Sequence, residues 1–250
     1  MNNFVFYRTH EHECSYLPDQ KARTLFLSPD TRPTPEINEA LGLVGFRRSG
    51  DHIYRPDCID CQQCLSCRIV VPQFVWKRSF RRILKKNSDI QIQIIKPLFS
   101  DEHYNLYSRY LEFRHQDGDM YPPSPEHYHD FLISDQPQAR FVEYRRNGQL
   151  VATTVIDWFS SGPSAIYTYF EPELEPLSPG TLAILTLIRL AQAHDLPFVY
   201  LGYWIKDSVK MNYKTRFQPL EVFIQNQWQL LKNIDNPLKD EQLSGRMPRL

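Results

Sequence analysis

The chain has 250 residues, 29 Lys and Arg balanced by 29 Asp and Glu, and a hydrophobic fraction of 42%. That balance is ordinary for a globular protein with one large core or two modest ones, and it excludes a disordered polyelectrolyte. No segment approaches the ~20 apolar residues of a membrane span, and "MNNFVFYRTHEHEC" lacks the apolar run of a signal peptide, so no membrane partner and a cytoplasmic location are expected.

Neutrality overall hides an uneven distribution. Residues 61–88 hold seven Lys or Arg and no acid, whereas 101–143 hold nine acids and three Arg. Such asymmetry suits either a polyanion-binding surface or two solvated faces that differ.

In chain order, "TPEINEALGLVGF" predicts a helix with Thr34 as N-cap and Pro35 at its first position. A short strand carrying Ile53 and Tyr54 leads into "CIDCQQCLSC" at 58–67, and "CRIVVPQF" reads as a strand ended by Pro72. The cysteine row has five members once Cys14 is added, an odd count that favours metal or redox chemistry over disulfides in a reducing compartment. Its strict spacing of three departs from ferredoxin runs and from paired zinc motifs, and Cys14 could complete a set. "HEHEC" at 10–14 is a weaker metal candidate.

In "VWKRSFRRILKKNS", Lys77, Arg81 and Lys85 recur at i, i+4, i+8, as do Arg78, Arg82 and Lys86. On a helix these six share one half of the cylinder, with Trp76, Phe80, Ile83 and Leu84 on the other. A docked helix with an outward basic face suits a phosphate backbone.

"IQIQIIKPLFS" predicts an alternating strand, and Ser100 can cap a helix through "DEHYNLYSRYLEFRHQ". Three strands follow, "ARFVEYRR", "QLVATTVIDWF" and "SAIYTYFEP", the first two turning at Asn147 and Gly148. "SPGTLAILTLIRLAQAH" predicts a buried helix, "LPFVYLGYWI" a core strand, "KDSVKMNYKTRF" a polar helical turn, and "LEVFIQN" a last strand. The fold class is α+β: a small Cys-containing N-terminal domain with the basic helix over 1–96, then an acetyltransferase-like (GNAT-type) mixed α/β domain over 97–250. On these residues alone, a zinc or iron–sulfur nucleic-acid-binding module, an iron–sulfur redox protein and a coenzyme A-dependent acetyltransferase also remain open.

Six motifs, in order along nearly the whole chain, resemble the arginyl-tRNA–protein transferase family. They are "CSYLPDQKA" at 14–22, "GFRRSG" at 45–50, "YRPDCIDCQQC" at 54–64, "RHQDGDM" at 114–120, "SAIYTYFEPE" at 164–173 and "YLGYWIKDSVKMNYKTRFQPLE" at 200–221. The similarity is greatest to the bacterial branch that moves leucine from leucyl-tRNA onto proteins with N-terminal Asp or Glu, marking them for degradation. An arginyl-tRNA donor with the same chemistry is the alternative. The resemblance implies leucyl-tRNA and Asp- or Glu-initiated proteins as partners, and no cofactor for transfer. It also implies a cysteine set, Cys14, Cys58, Cys61 and Cys64, that in eukaryotic relatives holds zinc or an iron–sulfur centre. Cys67 stands outside that set.

The implied reaction is aminolysis of an ester by an α-amine, whose pKa near ~8 leaves a usable neutral fraction, so positioning should supply most of the rate. In "RHQDGDM", Asp119 or Asp117 could orient the ammonium and accept its proton, and Arg114 and His115 could pair with the acceptor's carboxylate. "LGYWIKDSVKMNYK" offers Tyr203 and Lys210 for catalysis, and Ser208, Tyr213 and Lys214 for substrate binding. Lys210 and Lys214, at i, i+4, would share one helical face. Gly180, behind Ser178 at the start of the buried helix, could leave free N–H groups for a phosphate. The basic residues Lys77, Arg78, Arg81, Arg82, Lys85 and Lys86 would bind tRNA.

Overall fold

The computed structural model describes residues 4–31, 33–116, 118 and 120–233. Chain order runs β1 (Phe6–Arg8), β2 (His12–Glu13), β3 (Lys21–Ala22), β4 (Thr24–Leu27), α1 (Pro35–Leu43), β5 (Arg47–Ser49), β6 (His52–Pro56) and β7 (Leu65–Val70). It continues with α2 (Arg78–Lys86), β8 (Gln91–Ile95), α3 (Asp101–Arg114), α4 (Pro125–Leu132), β9 (Ala139–Arg146), β10 (Gln149–Phe159) and β11 (Gly162–Phe170). Last come α5 (Pro179–Ala193), β12 (Phe198–Trp204), α6 (Val209–Asn212), β13 (Leu220–Ile224) and β14 (Gln227–Leu230).

The molecule is mixed α/β. A large sheet has the order β14-β13-β7-β12-β11-β10-β9-β8, and a smaller one the order β1-β4-β6-β5. A cut at residue 96 passes through the large sheet, because β7 lies between β13 and β12 and β8 pairs with β9. Burial is the physical reason: Leu65, Cys67 and Ile69 of β7 are buried in the same core as α5, β10 and β12. The small sheet keeps its own cluster of Leu25, Leu27, Phe46 and Ile53.

Several predicted elements form for the reasons read from the residues. Thr34 caps α1 by accepting from Ile37 N, and Ser100 caps α3 by accepting from His103 N. Asn147 and Gly148 adopt φ of 52° and 85°, the left-handed pair that a two-residue hairpin turn requires. On α5 the run from Leu182 to Ile188 is wholly buried, as an almost unbroken apolar helix must be.

The short strands β1 to β5 escaped the sequence reading, as did α4 and β14. Helix α4 carries mostly polar residues, and β14 follows β13 after Gln225 and Asn226, both in the left-handed region. No helix among the described residues is long and apolar enough to cross a membrane.

Candidate active site

Within the large sheet every pairing is antiparallel except that of β11 with β12, which run parallel and share the single register pair Ser164 with Tyr200. Beyond that pair a side chain from the small sheet takes the ladder's place. Arg47 Nη1 donates to Ser164 Oγ at 2.7 Å, and its Nη2 donates to the carbonyl of Ala165. Gly202 of β12 makes room for it: φ is +74°, and a Cβ there would lie 3.4 Å from Arg47 Nε.

Tyr203 and Lys214 build the adjoining wall. The Tyr203 hydroxyl donates to Gly45 O at 2.9 Å, tying β12 to the turn before Arg47. Lys214 is 4% exposed; its Nζ donates to Tyr203 O and reaches Met211 Sδ at 3.3 Å. Burial, against the pull of Cys67 and reinforced by the charge of Arg47, lowers the Lys214 ammonium to about 8. Burial likewise raises the Tyr203 and Tyr54 hydroxyls above their ordinary range, so both stay neutral.

The expected pairing of Lys210 and Lys214 on one face does not occur. Helix α6 ends at Asn212, and Tyr213–Arg216 tighten into a 3₁₀ turn. That change of pitch turns Lys214 inward to a backbone carbonyl while Lys210 stays in solvent. Ser208 is buried at the start of α6, where its carbonyl accepts from Met211 N and Asn212 N. Tyr213 is 45% exposed as a residue, yet burial around its hydroxyl, then Cys67 and Tyr110 beside it, pushes its pKa up to about 12.

Tyr110 brings the end of α3 to this wall. Its ring meets His115 edge-on at 5.6 Å and Phe170 at 4.8 Å. Arg114 is already engaged, with Nη1 2.7 Å from Glu175 Oε1 in a half-exposed pair. Asp117 and Asp119 lie outside the described residues. Gly180, in the first turn of α5, has open space around it, and Ser178 before it sits at φ 60° without a side-chain cap.

On α2 all six basic residues from Lys77 to Lys86 are exposed. The opposite side is anchored by Phe80, stacked on Phe217 at 5.2 Å, and at the N-cap Lys77 Nζ donates to Arg216 O at 2.7 Å. The basic face is thereby fixed to the segment that carries Lys214.

Cys14, Cys58, Cys61 and Cys64 border one cavity of about 940 Å³, together with Tyr54 and Tyr203. All are free thiols, and burial, then the nearness of Cys58, Cys61 and Cys14, pushes Cys64 up to about 12. Among the described residues no group of three His, Cys, Asp or Glu side chains stands ready to hold a metal ion. Cys67, 1% exposed on β7, is a core residue.

Arg47, Arg48, Tyr110 and Asp157 were not among the sequence candidates. The one available signal was the arginine pair in "GFRRSG" at 45–50, a motif of the family resemblance to which no site role was given.

Residues 12–82 match the N-terminal and residues 102–224 the C-terminal family model of the arginine-tRNA-protein transferases. The aspartate/glutamate leucyltransferase of Pseudomonas fluorescens Pf0-1 is 49% identical over 226 residues, covering 90% of this chain and 96% of that protein. The protein of the same name from Pseudomonas entomophila L48 is 48% identical, covering 89% and 95%. Among solved structures, FemX aligns with a TM-score of 0.44 at 8% identity over 83% of this chain and 81% of its own. L-PGS from Bacillus licheniformis aligns at 0.45 and 13%, over 61% and 49%. With both halves matched in order and nearly half of the aligned positions identical to such relatives, the chain belongs to the arginine-tRNA-protein transferase family.

Proposed function

We propose that this protein transfers leucine from leucyl-tRNA to the α-amino group of proteins that begin with Asp or Glu, marking them for degradation. The observation that carries the proposal is the 49% identity, across 96% of its length, to a protein named aspartate/glutamate leucyltransferase. It is an aminoacyltransferase, and its donor places its work in the cytoplasm. Transfer itself needs no cofactor.

In the reaction the neutral α-amine attacks the ester carbonyl carbon. A C–N bond forms, the C–O bond to the terminal ribose breaks, and the ribose oxygen leaves as a hydroxyl after taking up a proton. In this reading the large sheet is acetyltransferase-like. The exposed basic face of α2 receives the tRNA, and Gly180 at the start of α5 offers N–H groups to its 3′ end. Asp119 or Asp117 orients the ammonium and accepts its proton, with Tyr203 and Lys210 supporting. Arg114, His115, Ser208, Tyr213 and Lys214 form the walls past which the acceptor enters.

Mixing the protein with labelled leucyl-tRNA and peptides beginning with Asp, Glu or Ala tests this reading. Label should move to the first two only. No transfer to either, with chargeable tRNA, removes the proposal. Transfer from arginyl-tRNA in its stead would replace the donor.

A further inference from the structure

Arg47 and Arg48 are adjacent in sequence and opposite in electrostatic situation. Arg48 is buried and neutralised by Asp157, whose carboxylate it grips through Nε and Nη2. Among the described residues Arg47 donates only to neutral oxygens, Ser164 Oγ and the carbonyl of Ala165. Those two bonds engage two of the roughly five donors a guanidinium carries.

A second cation stands close by. Lys214, 4% exposed, donates to the Tyr203 carbonyl, and the charge of Arg47 acts directly on its ammonium. Among the described residues neither cation has a carboxylate within ion-pair distance, whereas Arg8, Arg23, Arg48, Arg68 and Arg109 each have one. Enclosed charge is costly unless paired. Arg47 is half-buried and Lys214 enclosed, so the notch between β11 and β12 brings two cations together with no carboxylate to pair them among the described residues.

The reaction supplies an anion with the right demand. Asp and Asn, like Glu and Gln, differ in charge and in two protons but hardly in shape, so steric fit cannot separate them. Discrimination requires a desolvated cation that loses its partner when the wrong residue binds. Arg114 is held by Glu175, and the bases of α2 are exposed and face outward. Arg47 offers a planar fork that matches a carboxylate. Gly202 leaves the floor of the notch without a side chain.

We propose that Arg47, with Lys214 behind it, receives the side-chain carboxylate of the acceptor's N-terminal Asp or Glu and sets the preference for acidic acceptors. This rests on the transfer reaction assigned above.

The test compares Arg47→Gln and Arg47→Lys with the wild type in leucyl transfer to peptides beginning with Asp, Glu or Asn. Gln keeps an amide donor for Ser164 or Ala165 and removes the charge; Lys keeps the charge and loses the fork. With Arg47→Gln the KM for Asp and Glu peptides should rise about tenfold or more, and the kcat/KM preference for Asp over Asn should fall about tenfold. The KM for leucyl-tRNA should stay within about twofold, and Arg47→Lys should recover part of the preference. If Arg47→Gln does not fold, an intermediate preference in Arg47→Lys carries the same meaning. An unchanged Asp-to-Asn preference overturns the proposal. So does a rise confined to the KM for leucyl-tRNA, which would make the anion a phosphate. No transfer by the wild-type protein would remove the reaction and this subsite together, a result distinct from any change in preference.

Discussion

Arg48 and Asp157 lie 109 residues apart in sequence and form a buried bidentate pair, with Arg48 Nη2 2.8 Å and Nε 3.0 Å from Asp157 Oδ1. The pair fastens β5 of the small sheet to β10 of the large one, and so fixes where the neighbouring Arg47 enters the notch between β11 and β12. Gly50 takes up the remaining geometry by accepting from Arg48 Nη1 at 2.7 Å.

Removing one partner strands the other charge without water. Asp157→Ala should therefore cost about 3–5 kcal/mol in denaturant unfolding. Replacing both, as in Arg48→Met with Asp157→Leu, should recover most of that loss, since a packed apolar pair avoids the desolvation cost. A loss below about 1 kcal/mol for Asp157→Ala would mean that the pair does not hold the sheets together.

Lys214 predicts the opposite balance between stability and activity. Its displacement from 10.5 to about 8 corresponds to roughly 3 kcal/mol against the buried ammonium. Lys214→Met removes that cost but leaves the Tyr203 carbonyl without its donor, a loss of about 1–3 kcal/mol. The two nearly cancel, so the melting temperature should hold or rise while transfer falls at least about tenfold. Full activity in Lys214→Met, measured by leucyl transfer to an Asp peptide, would release Lys214 from the site.

Local signals were legible in the sequence wherever one element decided its own form. The cap at Thr34, the Asn147–Gly148 turn, the basic face of α2 and the apolar run of α5 each depend on residues a few positions apart. The site was legible only in part, because its geometry comes from contacts across long separations. Arg47 meets Ser164 117 residues away, and Tyr203 meets Gly45 158 residues away. No spacing rule encodes those contacts. The Lys210–Lys214 pairing failed for a local reason, a 3₁₀ turn that helical periodicity does not anticipate.

His103 should make the fold sensitive to acid. Its Nδ1 is 2.6 Å from Ser100 Oγ and its Nε2 3.0 Å from Glu143 Oε1. Burial lowers its pKa below the ordinary 6.5 and outweighs Glu143, which is itself shared with Arg145 at 2.7 Å. Between 6.5 and the lower folded value the unfolded chain binds a proton that the folded protein does not. Stability from this group is thus complete above 6.5 and is lost as pH falls toward the folded value, at no more than about 1.4 kcal/mol per pH unit. His103→Gln should lose less stability than the wild type between about pH 7.5 and about pH 5.5 in urea melts. Parallel losses would assign the acid sensitivity to other groups.

The basic face of α2 makes a prediction about salt. Arg81 and Arg82 are exposed, and each of Lys77, Arg78, Lys85 and Lys86 lies within four residues of one of them, while Phe80 anchors the helix against Phe217. Reversing exposed charges leaves that anchor intact, so Arg81→Glu with Arg82→Glu should fold as the wild type does. If each arginine neutralises a tRNA phosphate, each releases a counterion on binding, and the dependence of log K on log salt steepens by roughly one per contact. The double variant should therefore bind leucyl-tRNA more weakly at low salt, with a slope shallower by about 2, and the two affinities should converge as salt rises. Filter binding across a salt series reads both quantities. An unchanged slope would mean that tRNA does not touch this face, and that α2 serves only to brace the segment carrying Lys214.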